Sequence, residues 1–314
     1  MPVSETVLSI LWRRTMKKIL VTGGTVFVSR YIAEYYVAAG YEVYVLNRNT
    51  RSQAKGVTLI QTDRNMLGDK LRDQHFDLVI DTGYTGTDVN HLLDALGSFE
   101  NYIFVSSSAV YPEYTKQPFT EGAPLNANVF WGKYGTDKIE AETVLAQRFP
   151  EAYILRPPYL YGQGNNVYRE AFVFDCALGG RKFYLPKDGE MGLQFFHVHD
   201  LCRFIDILVE RKPDQHIFNV GNKDKVSIRE WVRICYEAAG SRAEFVNVYD
   251  DMDQRNYFSF YDYEYYLDVT KQHELLNTTK PLEEGLKEAF DWYRENRDEV
   301  NKKPYMEFID KNLK

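Results

Sequence analysis

The sequence predicts an α/β protein, a doubly wound parallel sheet with a smaller C-terminal region, and three observations carry the prediction. Short apolar runs rich in β-branched residues alternate with helix-like segments through the first half of the chain. Those runs are apolar on both faces, as strands covered by helices on either side must be. Beyond Pro157 the alternation loosens, so a region of different pattern follows a regular first half.

Taken in order, KILVT (18–22) leads into RYIAEYYVAAG, where Gly40 suits the left-handed residue that ends a helix. The runs YEVYVLN (41–47), GVTLIQTD (56–63), FDLVID (76–81) and YIFVSSS (102–108) read as strands, with DVNHLLDALGSF as a helix between the last two. A long helix is expected from Tyr134 to about Phe149, then the strand AYILR. Late in the chain, PLEEGLKEAFDWYREN reads as an amphipathic helix. Residues 16–156 are assigned to a first unit with a return segment near 195–221, and 157–194 with 222–314 to the second region. Residues 1–15 are expected to be a disordered extension, or a mis-assigned start ahead of Met16.

The 314 residues are 44% hydrophobic and 26% charged, ordinary for a globular protein with a sizeable core. A net charge of −7 counts against nucleic-acid or anionic-membrane binding, which calls for a basic surface. No apolar run approaches a membrane span. Cys176, Cys202 and Cys235 lack metal-ligand spacing and read as thiols of a reducing compartment, with the cytoplasm as the expected location.

The stretch LVTGGTVFVSRY (20–31) joins the first strand to the first helix. Glycines in such a loop serve a tight turn, the close approach of a pyrophosphate, and helix–strand packing, while free N–H groups at the helix start hold the anion. Gly23 and Gly24 suit the turn and Ser29 is small enough for the packing role. Val26 stands against it, because a β-branched residue resists unusual backbone angles and fills space a phosphate would approach. The alternative is a turn that holds no ligand. At the end of the next strand, Asn47, Arg48 and Arg51 replace the acid that would bond a ribose 2′-hydroxyl, which favours a 2′-phosphate and hence NADP over NAD; a solvated loop is the competing reading.

The serine-rich strand YIFVSSSAVYP is followed, 23 residues past Tyr111, by Tyr134-Gly-Thr-Asp-Lys138. On a helix this spacing puts phenol and ammonium on one face. A nearby cation favours phenolate, so Tyr134 is placed to act as acid or base toward a substrate hydroxyl, with a strand-end serine bonded to the same oxygen. Of the 24 tyrosines only Tyr134 has a lysine four residues on.

The ordered set VTGGTVFVS, SSSAVYP, YGTDK, RPPYLYG, FFHVHDL, FNVGN, VSIREWV and LEEGLKEAFDWY resembles the extended, or atypical, short-chain dehydrogenase/reductases of the NAD-dependent epimerase/dehydratase type. The resemblance spans nearly all of the chain after Met16. It implies a Rossmann dinucleotide-binding domain and a small C-terminal substrate-binding region. Ser107 aligns with the family's catalytic Ser/Thr, Tyr134 with its acid/base, and Lys138 with the lysine that lowers the tyrosine's pKa and holds the nicotinamide ribose. Asp63 matches the adenine-contacting acid. The implied cofactor site comprises Gly23, Gly24, Thr25, Phe27, Val28, Asn47, Arg48, Arg51, Asp63, Thr82, Gly83, Tyr134 and Lys138, and Ser108 and Tyr159 face the substrate. A homodimer is implied as well.

Departures from the family narrow the chemistry. Its 4,6-dehydratases carry an Asp-Glu pair where this chain has Ser108 and Ala109, which cannot perform that proton transfer, so dehydration is disfavoured. Tyr159 replaces an asparagine, and Leu193 replaces an arginine that clamps a diphosphate; Arg169, Arg181 or Lys182 are candidate substitutes. His197-Val-His199 lacks a third ligand, and no metal is expected. The stretch from Tyr257 to Tyr266 is read as packing, with stacking on a sugar or base as the alternative. The expected function is an NAD(P)-dependent oxidoreductase or epimerase acting on a hydroxyl or keto small molecule, sugar-like in character. The alternative is a non-catalytic member that binds cofactor or RNA.

Overall fold

The computed structural model describes residues 18–313; the extension expected over residues 1–15 lies outside them. The first half is built of β1 (Lys18–Thr22), α1 (Phe27–Ala38), β2 (Glu42–Asn47), β3 (Thr58–Gln61), β4 (His75–Asp81), α2 (Gly86–Ala95), β5 (Ser98–Val105), α3 (Lys133–Arg148) and β6 (Tyr153–Arg156). The second half contributes β7 (Tyr159–Tyr161), α4 (Glu170–Leu178), β8 (Phe183–Pro186), β9 (Gly192–Leu193), β10 (Phe195–His197) and α5 (Val198–Arg211). It continues through β11 (Ile217–Asn219), β12 (Val226–Ser227), α6 (Ile228–Ala238), β13 (Phe245–Val248), α7 (Thr270–Leu275), α8 (Leu282–Glu295) and α9 (Tyr305–Asn312).

Seven strands form one sheet in the order β11-β6-β5-β4-β1-β2-β3, every pair parallel. The chain winds outward from β1 in one direction, returns, and winds outward in the other. Ile19, Leu20 and Val21 in central β1 are fully buried on both faces. One side of the sheet packs Ile32, Tyr36, Leu201 and Ile205 of α1 and α5. The other side packs Leu92, Ala141 and Leu145 of α2 and α3. The return segment thereby rejoins the sheet: β11 pairs with β6, and Tyr35 and Tyr36 of α1 both donate to Asp206 of α5.

The second half carries its own core, dominated by aromatic residues such as Phe172, Phe183, Trp231, Phe260 and Tyr293. Its strands pair only in twos, β10 with β7, β12 with β9 and β13 with β8. All three cysteines are buried free thiols. Among the described residues no helix is long and apolar enough to cross a membrane.

Several boundaries differ from the sequence reading, the largest around β5: α2 ends at Ala95 where the reading carried a helix to Phe99. β5 begins at Ser98 rather than Tyr102, because its register with β4 starts at His75 opposite Ser98, and it ends at Val105 rather than Ser108. The three serines leave the strand: Ser106 N–H donates to Leu155 O, and Ser107 caps a 3₁₀ turn over Ser108–Val110. That departure from the strand leaves Ser107 and Ser108 lining the site, while the Ser106 hydroxyl turns to Glu142.

Candidate active site

A cavity of about 660 Å³ opens at the C-terminal ends of β1, β4 and β5, the edge where open parallel sheets bind ligands. Its near end is the loop between β1 and α1. Gly23 (φ +87) and Gly24 (φ +79) hold left-handed angles, and a Cβ on Gly24 would fall 2.4 Å from a Val45 methyl. Only glycine satisfies both conditions. Val26 takes extended angles (φ −137, ψ 136), which suit a β-branched residue, so it does not resist the turn; the unusual angle has moved to Phe27 (φ 35). Ser29 fills the packing role, its Oγ donating to Val26 O and standing 2.9 Å from where a Gly23 Cβ would lie. No side chain caps the start of α1. Its leading N–H groups and the cavity-lining Thr25, Val26, Phe27 and Val28 therefore offer a backbone cradle suited to an anion.

Ser107, Tyr134 and Lys138 line the same cavity. A Cβ on Gly135 would fall 2.4 Å from Ala109 O, so this glycine lets α3 lie directly on the serine turn. The close approach brings Ser107 near the Tyr134 phenol, and both line the cavity. Ser107 Oγ accepts from Ala109 N–H. Tyr134 is 38% exposed, yet the protein packed around its phenol pushes its pKa up, with Ser107 and the Arg169 charge opposing that rise. Lys138 Nζ donates to Gly83 O (2.6 Å) and Val105 O (2.8 Å), over the rings of Phe104 and Tyr84. Burial lowers this ammonium to about 8, despite the charges of Asp81 and Glu142.

Two buried ionic clusters hold these groups. Asp81 accepts from Thr22 Oγ1, Arg64 Nη2, Tyr102 OH and Gly83 N–H. Burial alone would raise its pKa, but Arg64 and the hydrogen bonds outweigh burial and hold it low. Asp81 thus fixes the Thr82–Gly83 turn on which Lys138 rests. Glu142, one turn beyond Lys138, accepts from Ser106 Oγ (2.5 Å) and receives the Arg156 guanidinium in a bidentate pair. Arg156 continues to Tyr111 OH, and Tyr111 to Asn219.

The remaining expected residues distribute unevenly. Thr82, Ser108 and Tyr159 line the cavity. Asn47 Nδ2 donates to Gly23 O, tying β2 to the loop, and its Oδ1 accepts from Asn49 N–H. Arg48 is exposed; Arg51 lines a smaller crevice behind Thr25–Phe27. Asp63 caps a 3₁₀ turn through Asn65 N–H and does not line the cavity. His197 is buried, accepts from His199 N–H, and is pushed down to about 3 by burial. Arg169 enters the cavity, whereas Arg181 pairs with Asp310 and Lys182 with Glu244. Sequence reasoning missed Tyr84, Trp131, Arg255, Tyr261 and Tyr265, all of which line the cavity. For the last two the tyrosine-rich stretch was the signal, and it was assigned to packing.

Similarities to known proteins agree with this architecture. The chain is 27% identical over 301 residues to a chloroplast stem-loop binding protein of 41 kDa from Arabidopsis thaliana, covering 87% of this chain and 78% of that one. It is 26% identical to a UDP-N-acetyl-α-D-glucosaminuronate decarboxylase from Bacillus cytotoxicus, covering 89% and 98%. Among solved structures, an epimerase from Methanothermobacter thermautotrophicus superposes with a TM-score of 0.76 at 19% identity, covering 93% and 97%. A dTDP-glucose 4,6-dehydratase from Bacillus anthracis, solved in complex with NAD, gives 0.70 at 19% identity, covering 90% and 98%. These last two likenesses concern the fold. Residues 19–96 and 87–221, more than half of the chain, match the sequence model of the NAD dependent epimerase/dehydratase family, and the protein belongs to that family.

Proposed function

We propose that the protein is an NAD(P)-dependent oxidoreductase or epimerase acting at a carbinol or keto carbon of a sugar-like small molecule. The observation that carries the reading is that Ser107, Tyr134 and Lys138 line one cavity, whose near end is an uncapped helix start behind two left-handed glycines. The residues present fit a dinucleotide. The backbone from Gly23 to Val28 suits its pyrophosphate, and Thr82, Gly83 and Lys138 are placed for the nicotinamide ribose. Asn47, Arg48 and Arg51 answer for the adenosine ribose; with no acid at 47, they favour NADP.

A nicotinamide held here would supply a hydride acceptor or donor. Tyr134 takes the proton of the substrate hydroxyl, or returns it, while Ser107 bonds the same oxygen and fixes its direction. Lys138 keeps a positive charge beneath this exchange at pH below about 8. Ser108 and Ala109 carry no acid or base for loss of water, which disfavours dehydration. A second reading, RNA binding, draws only on the stem-loop binding relative, and the net charge of −7 counts against it.

The test is a screen of hydroxyl and keto sugars with NADPH and NADH, comparing wild type with Tyr134→Phe at matched folding. Tyr134→Phe is expected to cut turnover by roughly 10²–10⁴-fold while leaving fluorescence-detected cofactor binding in place. Turnover that survives the substitution would remove Tyr134 from the chemistry.

A further inference from the structure

Ser108 and Tyr159 both depart from the residues usual in the family, and the fold brings the two departures together. The Tyr265 and Tyr159 rings lie 5.5 Å apart, and Ser108 lines the same wall of the cavity. All three residues are buried and line the cavity. The Arg169 guanidinium lies over the Tyr159 ring at 5.5 Å, with Nη2 donating to Leu160 O. Its Nε is buried and has no partner among the described residues. Ser108 is covalently next to Ser107, so this cluster begins one residue from the serine that lines the cavity with Tyr134.

Charge points the same way. Among the described residues lining the cavity, Lys138, Arg169 and Arg255 are charged, all are cationic, and none is acidic. Lys138 is committed to two backbone carbonyls, and Arg255 is folded back on Ser259 O and the Tyr261 ring. Arg169 retains a buried donor. A guanidinium N–H beside hydroxyl donors matches an oxyanion, which accepts several hydrogen bonds at once.

The geometry points to an anion subsite formed by Arg169, Tyr159, Tyr265 and Ser108, which takes a carboxylate or phosphate carried next to, or one carbon removed from, the carbinol that Tyr134 serves. The inference rests on the proposed reading for which carbon reacts, but not for whether the anion binds. The substrate class is therefore an acidic sugar or polyol rather than a neutral one. An anion there satisfies the Arg169 Nε that the protein leaves unpaired.

The test uses the full chain and tryptophan fluorescence, since Trp131 lines the cavity and meets Tyr159 and Tyr265 edge-on. The probes are glucuronate, glucose 6-phosphate and glucose, titrated with and without NADPH. At least one anionic probe is expected to bind about tenfold or more tightly than glucose, a factor ordinary for a charge-assisted contact. Glucuronate above glucose 6-phosphate assigns the subsite to carboxylate, and the reverse order assigns it to phosphate. Arg169→Gln is expected to abolish the preference, Arg169→Lys to retain part of it, and Tyr265→Phe to reduce it. Tyr134→Phe is expected to keep the preference whatever becomes of turnover, so loss of the catalytic reading leaves the subsite standing. Equal binding of glucose, a preference that survives Arg169→Gln in a folded variant, or no anion binding up to tens of millimolar overturns the inference.

Discussion

The two ends of the cavity are built from different material. The near end is backbone: two glycines with left-handed angles, an uncapped helix start and a serine whose hydroxyl donates to the Val26 carbonyl. The far end is side chain: serine, two phenols and a guanidinium drawn from four separated positions of the chain. A backbone site tolerates almost any residue that avoids its few steric limits, which is why Val26 sits where the family usually has glycine. A side-chain site has no such latitude, because removing one donor leaves its partners buried and unpaired. Between the two ends stands the Ser107–Tyr134–Lys138 set, held by buried charges.

The largest effect on the fold is expected where that middle is pinned. Glu142→Ala leaves Arg156 buried without its partner and frees Ser106, at a cost of roughly 3–5 kcal/mol in denaturant unfolding. A loss under about 1 kcal/mol would show that the two ends are held in register by packing alone.

Next comes Lys138, through pH. The unfolded lysine keeps its proton up to about 10.5, whereas the folded one releases it near 8. Between those values the unfolded state holds more protons, so raising the pH favours the folded state. Stability of the wild type relative to Lys138→Met is expected to rise by up to ~3 kcal/mol from pH 8 to 10.5. A difference that stays flat with pH would mean the ammonium is better solvated than its two carbonyl contacts indicate.

Gly24→Ala probes the near end by itself. The added Cβ meets Val45 and requires φ +79 of an alanine, costing about 2 kcal/mol. Cofactor affinity is expected to fall while the anion preference at the far end persists. Simultaneous loss of both in a folded variant would merge the two ends into one cooperative unit.

Much of the near half was legible in the sequence because its logic is local. Strand and helix alternate with distinct periods, a glycine pair marks the turn, and Tyr134 and Lys138 share a helix face by spacing alone. The tyrosine-rich segment does pack, with Tyr257, Phe258, Phe260 and Tyr265 in the core, but periodicity says how a residue is buried, not which cavity it borders. Tyr261 and Tyr265 also line the site, Tyr265 with its ring beside Tyr159. Lys138 is similar: spacing places the ammonium on the face of Tyr134, but only the turn held by Asp81 supplies the Gly83 carbonyl that it meets.

By itself, then, the sequence determined the winding of the sheet, the loop that joins β1 to α1, and which serine, tyrosine and lysine share one mouth. The loop and the Tyr134–Lys138 face depend on neighbours a few residues apart, whereas Ser107, 27 residues before Tyr134, follows from the resemblance to the family. The tertiary structure alone decided that Ser108, Tyr159, Arg169 and Tyr265 form one wall, and that Glu142 and Arg156 pin the serine turn to α3. Such contacts join positions whose separation carries no periodic signal, and they exist only once the sheet and the C-terminal core have closed around the cavity.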